Sequence, residues 1–159
     1  MLENLTITQV GPDDIDGLIA LADLWVEEGT EIFTSGASKY LNPREDTERT
    51  VERLADASLL YLVQLNGQSV GFVWSDIDEE NHRLWIRSFY VSSPQRGKGI
   101  ETAIIENQIM DARTRRLGSV YTSLFYKWPQ TEEHRALLEE LGFDCKKAEI
   151  GYKYNYRLK

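Results

Sequence analysis

One cysteine, Cys145, stands in a chain of 159 residues. That scarcity excludes a disulfide framework, a thiolate metal cluster and a paired redox centre. Histidine is almost as rare: His82 and His134 lie far apart in sequence, and no metal site is expected. No apolar run approaches the roughly 20 residues needed to cross a bilayer, so no membrane contact is expected. The opening M-L-E-N-L-T-I-T lacks the charged and apolar regions of a signal peptide, which makes a cytoplasmic protein the expectation. A Walker phosphate loop is missing, as is an early G-x-G-x-x-G of the dinucleotide type. Linkers, repeats and low-complexity tracts are absent too. With 42% hydrophobic and 11% aromatic residues, the length suits a single domain over residues 1–159 with its own core.

What is present is charge, unevenly placed. Residues 1–80 hold 4 of the 18 Lys and Arg and 17 of the 26 Asp and Glu, which leaves 4 − 17 = −13 in the first half and 14 − 9 = +5 in the second. A net charge of −8 argues against nucleic acid as a partner. The basic half suits an anionic ligand and the acidic half a cationic one such as an amine, although most of the acidic residues also read as solvated helix faces.

Hydrophobic periodicity orders the elements. Residues 6–10 read as a strand, and Pro12, Asp13 and Asp14 open a helix whose buried stripe is expected to contain Ile15, Leu18, Ile19, Ala22, Trp25 and Val26. Residues 29–41 read as a loop or short turn, and Asn42, Pro43 and Glu45 start a polar second helix through Ala55. Two strands, 59–65 and 69–76, flank Asn66-Gly67, the strongest short signal for a tight antiparallel hairpin. A strand over 83–91 continues the meander. A helix over about 99–116 follows, with Ile100, Ala103, Ile104, Ile109 and Ala112 inward and Arg113, Arg115 and Arg116 at its negative end. The strand over 119–126 comes after that long helix and is therefore expected to pair in parallel with 83–91. Thr131 caps a last helix that Gly142 terminates, and residues 145–158 close the sheet as one or two strands. Tyr152, Tyr154 and Tyr156 alternate on one face of that terminal segment, a candidate homodimer contact.

The most informative stretch is R-S-F-Y-V-S-S-P-Q-R-G-K-G-I-E over residues 87–101. Gly97 and Gly99 let the backbone bend tightly and expose consecutive N–H groups where a helix opens, and such an opening attracts anions. Arg96 and Lys98 add two cations, which suits a pyrophosphate and hence a nucleotide-bearing cofactor. Taken alone, Arg-Gly-Lys-Gly also describes an ordinary solvated turn.

This stretch resembles the acyl-CoA-binding segment of the GNAT superfamily of N-acetyltransferases, whose pattern is Arg or Gln, two residues, Gly, one residue, then Gly or Ala. Arg96 and Gly99 match that pattern and Glu101 departs from it, placing a carboxylate where the family keeps a small residue. A second echo, L-x-x-L-G-F over residues 138–143, sits where the family's last helix ends. Together with the order of elements, the resemblance covers nearly the whole chain. It implies an α/β fold with a mixed, mostly antiparallel twisted sheet of six to seven strands flanked by about four helices. It further implies acetyl-CoA as acyl donor, backbone contacts to its pantetheine arm from Phe89, Tyr90 and Val91, and a pyrophosphate held by Arg96, Gly97, Lys98, Gly99, Ile100 and Glu101. Thr131 stands where the family usually has an Asn that touches the cofactor, and Leu138 where it usually has a tyrosine that protonates the leaving thiolate.

The implied reaction is attack by a neutral primary amine, of a small molecule or a protein, on the thioester carbon. A lysine-like ammonium with a reference pKa near 10.4 costs roughly 4 to 5 kcal/mol to deprotonate at pH 7, so a base is wanted. Asp76, Asp78, Glu79 and Glu80 follow the third strand and are candidates by position; a solvated turn charge is the alternative for each. Tyr126, at the end of the fifth strand, is the candidate substitute acid. Trp74, Trp85 and Trp128 could line an acceptor pocket or simply pack. The rival reading is a non-catalytic acyl-CoA-binding or interaction protein that keeps the fold, motivated by Glu101 and Leu138.

Overall fold

A computed structural model describes residues 3–34 and 59–158. The helix expected over residues 42–55 lies outside them. The described chain runs β1 (Leu5–Gln9), α1 (Ile15–Thr34), β2 (Leu59–Leu65), β3 (Gln68–Asp78), β4 (Arg83–Val91), a 3-10 turn (Ser93–Gln95), α2 (Ile100–Thr114), β5 (Ser119–Phe125), α3 (Thr131–Glu140), β6 (Asp144–Lys147) and β7 (Gly151–Arg157). The seven strands form one mixed sheet in the order β1-β2-β3-β4-β5-β7-β6. Every neighbouring pair is antiparallel except β4 and β5, which the crossover through α2 makes parallel. Three α-helices flank the sheet among the described residues.

Local chemistry explains the turns. Asn66 and Gly67 both adopt positive φ, 54° and 79°, as a two-residue hairpin that matches strand twist requires. Asp14 accepts the Gly17 amide at 2.9 Å and so caps α1. Gly142, at φ 99°, ends the α3 segment, and Phe143 packs behind it in the core.

Strand alternation divides the interior in two. On β2, Leu59, Tyr61 and Val63 face a large cluster covered by α2 and α3, whereas Leu60 and Leu62 face a smaller one under α1. The α1 stripe is rotated from its expected position. Leu18, Leu21, Ala22 and Leu24 are buried, while Ile15 and Ile19 are 60% and 49% exposed, because the first lies at the helix start and the second on its flank. Helix α1 also continues to Thr34 through residues expected to be loop. Gln108, a polar residue on α2, is fully buried and was not expected there; Ser75 Oγ donates to its Oε1 at 2.5 Å, so burial leaves that carbonyl satisfied.

The tyrosines of β7 do share a face, but it is the inner one. Tyr154 is fully buried, Arg135 of α3 stacks on Tyr152 at 3.6 Å, and Tyr156 lies against Phe143. Their alternation reflects packing under α3.

Two features of β4 position the site. Trp74 pairs with Ser88 and Ser75 with Ile86, so Arg87 has no partner on β3 and forms a bulge. The bulge changes the strand's phase: Leu84 and Ile86 face the large core before it, and Phe89 and Val91 do so after it. Gly71 on β3 lets the strands stay close there, since a Cβ would run into the Tyr90 carbonyl.

Candidate active site

The parallel pair is short. Arg83, Leu84, Trp85 and Ile86 pair with Ser119, Val120, Tyr121 and Thr122, and beyond them the strands part. Thr122 marks the fork, its hydroxyl donating to the Ile86 carbonyl at 2.9 Å. A groove opens past this point, walled on one side by residues 87–91 of β4 and on the other by residues 122–124 of β5 and by Trp128, Pro129, Gln130 and His134. Backbone groups on this edge of β4 face no neighbouring strand, the condition under which an extended ligand can pair with a sheet.

The groove leads to the glycine turn. Gly97 and Gly99 have φ of 75° and 90°, conformations that side-chain-bearing residues rarely adopt. Gly99 is the N-cap of α2 and no side chain caps it. The first turn bond runs from Ala103 to Gly99 at 3.1 Å, so the preceding amides have no intrahelical acceptor. Arg96 donates from Nε to the Val91 carbonyl at 2.9 Å, which ties the turn to the end of β4, and Lys98 Nζ reaches Gln95 at 3.1 Å. Cations and open amides together suit a diphosphate. A second cleft at the turn is lined by Arg96, Gly97, Gly99 and Thr102, and also by Glu101 and Glu133. Glu101, in the first turn of α2, favours the helix dipole while opposing an anion at the same end.

The groups singled out in the sequence fall in different places. Phe89, Tyr90, Val91, Arg96 and Glu101 line the groove, and Gly97 and Gly99 line the adjoining cleft. Ile100 is fully buried in the core and can offer only its backbone. Thr131 is 2% exposed and its hydroxyl donates to the Phe125 carbonyl at 2.5 Å, so Gln130 takes the wall position in its place. Asp76 is held by Arg87 Nε at 2.6 Å, and Arg87 in turn stacks on Trp85 at 3.6 Å. The Tyr126 hydroxyl is engaged with the Ala148 carbonyl, and Tyr152 packs against its ring at 4.8 Å. Neither Asp76 nor Tyr126 is part of the groove wall. Trp128 lines the groove, whereas Trp74 packs against Trp25 in the small cluster.

His134 is the residue that sequence reading passed over. It lines both groove and cleft, and its ring lies on Phe89 with centroids 4.4 Å apart. Burial, assisted by the Arg96 cation, lowers its pKa from 6.5 to about 4, so the imidazole is neutral at pH 7. A signal was available: His134 stands one helical turn before Leu138 and so on the same inward face.

Comparisons with known proteins agree on the architecture. The sequence profile described as the Acetyltransferase (GNAT) family matches residues 18–143. No curated protein matches the chain. Among solved structures, PaiA N-acetyltransferase from Thermoplasma acidophilum in complex with coenzyme A superimposes with a TM-score of 0.76 at 10% identity, over 97% of this chain and 99% of that one. An acetyltransferase from Thermus thermophilus gives 0.74 at 16% identity over 99% of both chains. A phosphinothricin acetyltransferase from Sinorhizobium meliloti in complex with acetyl-CoA gives 0.74 at 13% identity, over 98% and 89%. No helix among the described residues is long and apolar enough to cross a membrane.

Proposed function

The chain belongs to the acetyltransferase (GNAT) family, and from that premise we propose that it moves an acetyl group from acetyl-CoA to a primary amine of a small molecule or protein. The observation that carries this reading is the groove between the parted ends of β4 and β5, which leads to an uncapped helix start flanked by Arg96 and Lys98. An extended donor with a diphosphate at one end and a thioester at the other matches that sequence of environments. Coenzyme A supplies an activated acyl group with a thiol leaving group.

The chain's own residues do the holding. Open amides around Gly97, Gly99, Ile100 and Glu101 would receive the diphosphate together with Arg96 and Lys98. Backbone at Phe89, Tyr90 and Val91 would pair with the pantetheine arm. A free amide of β4 beside the thioester carbonyl would stabilise negative charge on its oxygen, and holding donor and acceptor together supplies much of the rate. One specific observation favours the rival reading of a non-catalytic binding protein: Glu101 and Glu133 face the cleft where phosphates would lie, and Leu138 is fully buried with no acidic hydrogen to offer.

Calorimetry with acetyl-CoA and free CoA, followed by thiol release in the presence of amines, separates the two. Saturable binding with amine-dependent thiol release supports transfer. Binding without release supports the rival, and no binding at millimolar cofactor overturns both.

A further inference from the structure

The proton-carrying groups that the sequence offered for the reaction are engaged elsewhere or stand outside the groove: Asp78 is bonded to Asn81 and Arg83, and Glu79 and Glu80 are exposed and not part of the groove wall. Asp76 is ion-paired to Arg87, Tyr126 is bonded to Ala148, and position 138 carries a leucine. His134 differs in each respect. It lies where the groove meets the glycine-turn cleft, its ring plane is set by Phe89 on the parted stretch of β4, and no hydrogen bond engages either ring nitrogen among the described residues. The half-buried imidazole thus keeps one donor and one acceptor open to the groove, available to a ligand that lies there.

We propose that His134 is the proton carrier of the transfer reaction, taking the proton that the attacking amine must lose and handing it to the sulfur of the departing thiol. This rests on the acetyl-transfer reading above. As the amine nitrogen forms its bond to the acetyl carbon, the C–S bond breaks with its electron pair on sulfur. The N–H proton passes to one imidazole nitrogen, and the imidazolium returns it to sulfur, so the ring ends neutral and no other reactant is consumed. The neutral state of the free protein leaves the ring able to accept, and the lowered pKa makes its protonated form a willing donor. Charged groups lining the shared cavities are Arg96 from the turn, Arg87 from β4, Glu28 from α1, Glu101 from α2 and Glu133 from α3. Of these, Arg96 is the one that acts on the ring's titration.

The test uses the full chain with acetyl-CoA as donor and hydroxylamine, a small amine unprotonated at neutral pH, as acceptor probe. His134→Gln is expected to lower kcat by about 10²- to 10³-fold, with calorimetric affinity for acetyl-CoA within about threefold of the parent. Added imidazole should restore at least about tenfold of the activity lost by His134→Ala, a gain that a packing role does not produce. A readout without turnover uses the fact that the chain has 2 histidines. The ring nitrogen signals of His134 should differ between complexes with CoA and with desulfo-CoA, while those of His82 should not. Retained activity in His134→Gln, failure of imidazole rescue, or identical His134 signals in the two complexes each overturns the assignment. A parent protein that binds acetyl-CoA yet releases no thiol to hydroxylamine overturns it as well. A parent that binds no acetyl-CoA overturns the acetyl-transfer reading itself, a separate result.

Discussion

The near and far ends of the β4 and β5 pair consist of the same two strands and solve opposite problems. At the near end, four residue pairs are bonded in parallel, with Leu84, Ile86 and Val120 fully buried beneath them. At the far end, residues 88–91 keep β3 and lose β5, yet Phe89 and Val91 still reach the large core. A sheet can therefore give up pairing on one edge of a central strand without giving up the core under it. On the acetyl-transfer reading proposed above, stability and cofactor affinity would be separable along this part of the chain, the first depending on residues 83–86 and the second on residues 87–101.

The sharpest way to break that separation is at the closed end. Ile86→Ala should lower the free energy of unfolding by about 3 kcal/mol, the usual cost of emptying a fully packed site, while the folded fraction binds acetyl-CoA as before; urea unfolding and calorimetry read the two quantities. A loss of affinity in the folded fraction would mean that the ends are coupled. At the open end, Arg96→Ala should do the reverse. Removing a charge-assisted partner of the diphosphate should weaken acetyl-CoA by about 2 kcal/mol, roughly 30-fold, with an unfolding midpoint close to the parent's.

Acidification probes the open end differently. His134 titrates lower in the folded chain than in the unfolded one, so the unfolded chain takes up its proton first as pH falls. The stability it contributes is intact above about pH 6.5 and is lost progressively toward about pH 4, amounting to about 2 kcal/mol once its partial exposure is allowed for. Urea unfolding across that range should show a shallower pH dependence in His134→Gln, and equal slopes would contradict the assigned environment. The smallest effect is expected at Glu101→Gln, which removes a carboxylate from the cradle and should tighten acetyl-CoA by about threefold, less than 1 kcal/mol. Unchanged affinity would show that the carboxylate swings clear of the phosphates.

Much of this division was legible in the sequence, because local signals fix local structure. Asn66-Gly67 named its hairpin, residues 83–91 were placed as a strand with the observed bounds, and Gly97 and Gly99 announced an uncapped helix start. The long segment between β4 and β5 required their parallel pairing. Three-dimensional choices were not visible in the same way. The Ser75 and Gln108 pair is buried because two polar groups far apart in sequence satisfy each other, and neither announces the other. Thr131 has the composition of a cap but spends its hydroxyl on the Phe125 carbonyl. The paired charges of Asp76 and the engaged hydroxyl of Tyr126 likewise depend on neighbours that only folding supplies. His134 was overlooked because a lone histidine between two glutamates and an arginine reads as one more polar residue of a helix.

The bulge at Arg87 has a consequence for the gene as well as for the site. A β-strand keeps count in twos, and one unpaired residue changes odd to even. Deleting position 87 would remove the residue that has no partner and leave Leu84, Ile86, Phe89 and Val91 in one unbroken alternation toward the large core, whereas deleting Trp85 would turn Leu84 away from it. A three-base deletion at codon 87 should therefore spare the core face of β4, while the same loss two codons earlier should act like a frameshift written in side chains.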